Sequence, residues 1–125
     1  RKAIPEKQTT MLMILDAGEI LLEKRPNQGI WGGLWSLPEI EPIQVSVQQV
    51  QEKYGMQTES LEVLPVLWHT FTHFKLEITP QPLQLSGKRS VLPPNMQWLS
   101  VHTELDAALP APVRTLIKTL QQSRY

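Results

Sequence analysis

Cysteine is absent from this chain of 125 residues. Its absence excludes a disulfide-stapled scaffold, an iron–sulfur cluster held by this chain, a zinc site built from thiolates and a cysteine nucleophile. At this length one domain is expected, and folding can bury roughly two-thirds of the surface that the unfolded chain exposes. A hydrophobic core can therefore stabilise the fold without a covalent or metal staple.

Long apolar runs are also absent. The longest, 11–15 and 20–22, are far shorter than the ~20 residues that a membrane-spanning helix needs. The start of the chain has no apolar segment of the kind found in a signal peptide. We therefore expect a soluble domain with no membrane partner.

An excess of either charge is the third absence. The chain has 12 Lys and Arg against 12 Asp and Glu, for a net charge of zero. Autonomous nucleic-acid binders usually carry a basic excess, so composition alone argues against a nucleic-acid partner. However, basic residues cluster at Lys24–Arg25 and Lys88–Arg89, and a neutral sum can hide a basic face.

The first eight residues are polar apart from Ile4 and one proline. A chain that begins on Arg1 within such a segment is most simply a C-terminal piece of a longer protein. We therefore expect residues 1–8 to be the remnant of an interdomain linker and residues 9–125 to form the domain.

Hydrophobic periodicity predicts both strands and helices, with turn residues between them. Pro80 and Pro82 are expected to end the fourth strand, and Gly55 to end the first helix. Trp35 and Trp68 are assigned to the core, whereas Trp31, flanked by glycines, is left unassigned. The predicted strands are 9–15 and 20–24, paired as a hairpin, followed by 61–67, 74–79 and 96–100; the predicted helices are 45–54, a short turn at 103–108, and a terminal helix from Pro112.

A glycine, five residues and a glutamate, followed by a helix that ends in glycine, resemble the Nudix box. In that box, G-x5-E-x7-R-E-U-x-E-E-x-G-U with U bulky and apolar, glutamates one helical turn apart hold Mg²⁺ and a diphosphate. Here most of those acids are lost, and a lysine stands where a divalent cation should sit. We therefore expect no metal site and no pyrophosphohydrolase activity. The degenerate box consists of Gly33 and Glu39, then, with one extra spacer residue, Gln48, Gln49, Glu52, Lys53 and Gly55.

Three segments together resemble the C-terminal domain of MutY-type adenine DNA glycosylases. They are LLEKRPNQGIWGGLWSLPE at 21–39, HTFTHFKLEI at 69–78 and LPAPVRTLIKTL at 109–120, and the resemblance extends over essentially the whole chain. It implies an α+β, Nudix-like fold with a mixed β-sheet flanked by helices.

The resemblance also implies a function. In that family the parent enzyme removes adenine mispaired with 8-oxoguanine or guanine, and an N-terminal domain with a 4Fe–4S cluster performs the excision. The C-terminal domain contacts the oxidised guanine and has no cofactor. The implied partners are double-stranded DNA containing 8-oxoguanine:A mispairs and the covalently linked catalytic domain, in a monomeric, cytoplasmic bacterial protein associated with the nucleoid.

The recognition loop of that family, Phe-Ser-His, stands here as Phe71, Thr72 and His73. In 8-oxoguanine, N7 carries a hydrogen and is a donor, whereas N7 of guanine is an acceptor. The hydroxyl or the backbone carbonyl of Thr72 can accept a hydrogen bond from that donor. Phe71 is suited to packing or wedging near the lesion, and His73 to contacting a phosphate or holding the turn.

Five basic residues are predicted to flank this turn and contact phosphates: Lys24, Arg25, Lys75, Lys88 and Arg89. His69 and His73 are not expected to share a metal, because four residues of a strand span about 13 Å.

Two alternatives remain open. The chain could be a stand-alone Nudix pyrophosphohydrolase acting on a nucleoside diphosphate derivative, or a module that docks a repair protein through its terminal helix or linker. In the leading hypothesis, the neutral charge indicates that a tethered domain contributes specificity more than affinity, because the tether raises its effective concentration at the DNA.

Overall fold

The chain forms a mixed β-sheet of eight strands with two helices, within a computed structural model that describes residues 4–102 and 108–122. No helix in these ranges is both long and apolar enough to cross a membrane. In chain order the elements are β1 (Glu6–Asp16), β2 (Glu19–Lys24), β3 (Trp35–Ser36), β4 (Glu39–Ile40), α1 (Ser46–Tyr54), β5 (Thr58–Ser60), β6 (Leu67–Thr70), β7 (Lys75–Leu85), β8 (Met96–Ser100) and α2 (Ala111–Gln121).

The parallel pair of β1 and β7 lies at the centre of the sheet, in register from Glu6 opposite Lys75 to Leu15 opposite Gln84. The strand order is β3-β2-β1-β7-β5, with β4 also paired to β1, β6 to β7 and β8 to β2. Residues 11–15 of β1 are all buried, as expected for a central strand covered on both faces.

Alternate residues of β1 supply two separate cores. Met11 and Met13 pack in a cluster with the apolar face of α2, whereas Leu12 and Ile14 pack in a second cluster with Val50 of α1. Each helix therefore covers one face of the sheet.

Several predicted elements are confirmed. The first hairpin pairs Leu15 with Ile20, and β8 matches the predicted last strand. Helix α1 ends at Gly55, whose φ of 68° is the left-handed conformation that glycine adopts readily. Helix α2 has Pro112 in its first turn, and the apolar residues whose spacing predicts one buried face are all buried: Val113, Leu116, Ile117 and Leu120. The predicted turn at 103–108 lies, apart from Ala108, outside the described residues.

The first strand begins earlier than predicted. Residues 6–8, assigned to the linker, pair with residues 75–77 of β7. Their polar composition reflects exposed side chains, not an unpaired backbone. The strand assignment therefore begins at Glu6 instead of Thr9.

The prediction that Pro80 and Pro82 end a strand is wrong, because β7 continues to Leu85. The carbonyls of these prolines point away from β1 and accept hydrogen bonds from the N–H groups of Leu64 and Leu61, at 3.1 and 3.0 Å. The missing proline N–H groups therefore fall on the side opposite the β1 ladder, where they do not interrupt it.

The same prolines explain why the predicted strand at 61–67 is wrong. Regular pairing to β7 is interrupted opposite them, so only β5 before and β6 after this segment are strands. In β6, Leu67 and His69 turn toward the core and Trp68 turns outward, with 53% of its surface exposed. The assignment of Trp68 to the core is therefore wrong, whereas Trp35 packs against the core as predicted.

A side chain replaces the donor that Pro82 lacks. The Gln81 amide donates to the carbonyl oxygens of Leu61 and Pro82, both at 2.8 Å. Through these bonds Gln81 holds the 61–66 segment against β7.

We predict that Gln81→Ala lowers the free energy of unfolding by about 1–3 kcal/mol, because it removes the donor to the part-buried Leu61 carbonyl, whereas the Pro82 carbonyl keeps the Leu61 N–H. Gln97→Ala, at an exposed position of β8, is the matched control and should have almost no effect. Urea denaturation of both variants measures the difference, and equal midpoints would contradict the prediction.

Candidate functional site

The turn between β6 and β7 presents the three predicted recognition residues. The Phe71 N–H donates to the Phe74 carbonyl at 2.8 Å and closes the turn. The two phenyl rings stack with centroids 4.6 Å apart and planes 25° from parallel. Thr72 and His73 are exposed at the tip, while both phenylalanines are half-buried. The turn is thus a polar tip on an aromatic base.

The loop between β2 and β3 completes this base. Its Trp31 ring lies 5.2 Å from the Phe71 ring and 5.5 Å from the His69 ring, and His69 meets Phe71 edge-on at 4.7 Å. The four rings of Trp31, His69, Phe71 and Phe74 form what we call the aromatic cluster. The sequence left Trp31 unassigned because its neighbours come from another part of the chain.

A cation beside this cluster was missed by sequence analysis. The Lys7 ammonium lies 4.4 Å from the centroid of the Phe74 ring, a cation–π contact. Lys75, the first residue of β7, stands opposite Glu6 at the same end of the sheet. The early start of β1 was the missing signal, since it is what carries Lys7 to the turn.

The five predicted phosphate contacts do not form one group. Arg89 binds Asp16 and Glu19 at 2.7 and 2.8 Å and stacks on Trp98. Asp16 ends the 11-residue strand β1, about 30 Å from its start beside the turn, so the Lys88–Arg89 pair lies at the far end of the sheet.

Nearer the middle of the sheet, Arg25 forms an ion pair with Glu39. The neighbouring Lys24 is exposed at the end of β2, opposite Trp35. Of the five, Lys75 adjoins the recognition turn. A phosphate contact by any of them stays a prediction.

At the degenerate box, cationic side chains of the chain itself lie near the Glu39 carboxylate. Glu39 accepts hydrogen bonds from the Thr9 hydroxyl at 2.8 Å and from Arg25, which occupy both of its carboxylate oxygens. Lys53 lines the same cavity as Glu39. In the ranges 4–102 and 108–122, no three His, Cys, Asp or Glu side chains are grouped as metal ligands.

The other box positions lie where the pattern predicts. Gln48, Glu52 and Lys53 are exposed on α1, and Gln49 makes a long 3.5 Å hydrogen bond to Glu52. Gly33, with φ 74°, ends the Trp31 loop, and Gly55 ends α1.

Glu23 is a further member of this region that sequence analysis missed. Burial raises its pKa, while Lys53, Arg25 and a hydrogen bond from Tyr54 act in the opposite direction. Burial, and then the Glu23 carboxylate, raise the pKa of Tyr54. The sequence signal that could have identified Glu23 is its position as an acidic residue near the end of the apolar strand ILLEK.

The description of the matching family model is NUDIX domain, and the match covers residues 10–119. The chain belongs to the Nudix domain family. This membership agrees with the box spacing, although the box of this Nudix domain has lost most of its acids.

The curated relatives that this chain matches include adenine DNA glycosylases. The human protein is 28% identical over a region that covers 94% of this chain and 24% of the human protein. That of Buchnera aphidicola is 22% identical, covering all of this chain and 36% of its own length. The chain thus spans about a quarter to a third of these relatives, and the resemblance indicated by the motifs is confirmed.

Solved structures confirm the predicted α+β, Nudix-like fold. The C-terminal domain of mouse MUTYH, in a complex with human PCNA, matches with a TM-score of 0.73 and 22% identity over 92% of this chain and 87% of that one. A MutT Nudix hydrolase from Burkholderia pseudomallei matches with a TM-score of 0.70 and 21% identity, over 90% and 96%.

We predict that Glu23→Gln stabilises the fold at neutral pH. A raised pKa means that ionised Glu23 is disfavoured in the folded state, so the penalty is full above the folded-state pKa and is lost as pH falls from that value to the ordinary value of 4.5. Urea denaturation at neutral pH and below pH 4.5 measures the effect, with exposed Glu59→Gln as control. A gain of equal size at both pH values would contradict the assignment.

Proposed function

We propose that this chain is the lesion-recognition domain of an adenine DNA glycosylase that acts in base excision repair. It contacts 8-oxoguanine opposite adenine, while another domain of the longer protein, with a 4Fe–4S cluster, excises the adenine. The observation that carries the proposal is the exposed Thr72–His73 tip, held on a packed aromatic base in a domain similar to adenine DNA glycosylases.

The chemistry of the tip suits the lesion. The Thr72 hydroxyl has no hydrogen-bond partner among the described residues, so it is available to a ligand. The backbone carbonyl of Thr72 can only accept a hydrogen bond. It would therefore distinguish the N7–H of 8-oxoguanine from the N7 of guanine, which carries no hydrogen. A hydroxyl can rotate to serve either base, and so discriminates less by itself.

Affinity has to come mainly from elsewhere. The chain is neutral, and the basic residues beside the tip are Lys7 and Lys75. Two cations can position a domain on phosphates but supply little of the salt-dependent binding energy. The linked catalytic domain would supply the rest, in a cytoplasmic protein that reaches the DNA through that domain.

The pyrophosphohydrolase alternative is disfavoured by the box. Arg25 and Thr9 occupy the Glu39 carboxylate, and Lys53 faces the same cavity. A divalent cation would have to displace an existing ion pair and approach a positive charge. Pyrophosphate release from 8-oxo-dGTP with Mg²⁺ would revive this alternative.

The alternative that this domain docks a repair protein is restricted to surfaces other than the apolar face of the terminal helix. The apolar face of α2 is buried against the sheet, so it is not available to a partner. The structural neighbour from mouse is in a complex with PCNA. A repair protein could therefore still bind another surface.

We predict that the triple change Phe71→Ala, Thr72→Ala and His73→Ala in the full-length glycosylase lowers the preference for 8-oxoguanine over guanine opposite adenine. The expected loss is about 5- to 150-fold, the range for one good base contact of about 1–3 kcal/mol. Single-turnover adenine release from the two duplexes measures the preference. Val91→Ala, at a fully exposed position far from the tip, is the control.

An unchanged preference in the triple variant would refute the proposed function. If the triple variant loses the preference, Thr72→Val separates the two possible acceptors of Thr72. Loss of preference in Thr72→Val assigns the contact to the hydroxyl, and retention assigns it to the backbone carbonyl.

A further inference from the structure

We propose that Trp31 is a positioning residue for the recognition tip, and that the Arg25–Glu39 ion pair anchors the loop that carries it. The consequence for lesion recognition rests on the proposed function, whereas the positioning itself does not. In this assignment, Glu39 of the degenerate box holds the loop that carries Trp31, and Trp31 in turn supports the recognition tip.

The loop that carries Trp31 is closed by its own backbone. The Arg25 N–H donates to the Leu34 carbonyl at 2.8 Å, the Gly33 N–H to the Pro26 carbonyl at 3.0 Å, and the Leu34 N–H to the Trp31 carbonyl at 3.0 Å. These bonds tie both ends of the loop together, so the indole projects from a fixed frame.

Glycine is required next to the indole. A Cβ on Gly32 would overlap the carbonyl of Asn27 across the loop. Trp31 itself has a φ of 53°, a left-handed conformation that is uncommon for a bulky residue and persists where surrounding contacts hold it.

Trp31 packs against the first core cluster and against the rings at the base of the tip. Its ring packs on Phe71 and His69, the two rings that precede the exposed Thr72–His73 pair. Phe71 therefore packs with three rings, those of Trp31, His69 and Phe74. Removal of the indole would take away one of these three partners of the ring from which the tip extends.

The anchor of the loop lies at its first residue. The Arg25 guanidinium binds Glu39 of β4, whose other oxygen accepts from Thr9 of β1. The loop is thereby fixed to the central strand of the sheet. A contiguous set of contacts runs from Thr9 through Glu39 and Arg25, then through the backbone of Leu34 to Trp31 and Phe71.

Positioning matters because a recognition contact depends on sub-ångström geometry, which a supporting shell of packed side chains maintains. A loosened tip would keep its chemical groups but lose the alignment that separates two bases differing at N7 and C8. The expected defect is therefore in discrimination, with the fold retained.

The first test follows the amide hydrogen exchange of this 125-residue chain by NMR. The Phe71 N–H, which closes the turn, reports the tip, and the Met13 N–H, which faces β7 in the central parallel pair, reports the whole fold. Trp31→Ala is expected to lower Phe71 protection about tenfold relative to Met13, as for loss of packed aromatic pairs. Trp31→Phe should restore most of it.

Two further variants change the loop that carries Trp31 at other positions. Gly32→Ala displaces the loop without touching the tip, and Arg25→Met removes the anchor; both should lower Phe71 protection. Trp98→Ala removes a tryptophan at the far end of the sheet and should leave it unchanged. Unaltered Phe71 protection in Trp31→Ala and Gly32→Ala would overturn the inference, and Gly32→Ala decides if Trp31→Ala does not fold.

The second test measures adenine release by the full-length Trp31→Ala glycosylase from 8-oxoguanine and guanine duplexes. A lower preference for 8-oxoguanine supports the link from positioning to recognition. A loosened tip with full preference would leave Trp31 as a positioning residue and would instead refute the proposed role of the tip.

Discussion

The parallel pairing of β1 with β7 is the interaction on which the rest of the structure depends. It pairs residues that are 69 positions apart in sequence, as Glu6 is from Lys75, and residues 11–15 of β1 within it are all buried. One end of this pair carries the β6–β7 turn with Lys7 beside it, and the other carries the Arg89 ion pairs. The pairing therefore decides which polar groups can act together and which cannot.

Charge has been redistributed within an inherited scaffold. A Nudix box works by concentrating carboxylates for Mg²⁺, and here Arg25 and Lys53 provide positive charge within the protein itself. The Glu39 carboxylate is thereby paired within the protein. The exposed polar groups of the candidate site are instead Thr72 and His73, at the tip of the β6–β7 turn. They have no such partners among the described residues.

Local patterns predicted the elements whose periodicity is simple. The first hairpin, α1 with its terminal Gly55, and α2 with Pro112 all follow from turn residues and apolar spacing. The turn at 71–74 was found through its motif. These features depend on residues close together in sequence.

Long-range contacts account for what could not be predicted. Pro80 and Pro82 lie inside a strand because their missing N–H groups point away from β1, which only the pairing reveals. Trp68 is exposed because the alternation of β6 turns Leu67 and His69 toward the core and Trp68 to the opposite side. The role of Trp31 and the separation of Lys88 from the turn likewise depend on contacts between distant segments.

The most direct measurement for the central claim is an NMR titration of this chain with two duplexes that differ only in 8-oxoguanine or guanine opposite adenine. The account predicts chemical-shift changes centred on Thr72 and His73 and larger for the oxidised duplex. Identical changes with both duplexes, or changes centred on α1 and its box residues, would contradict it.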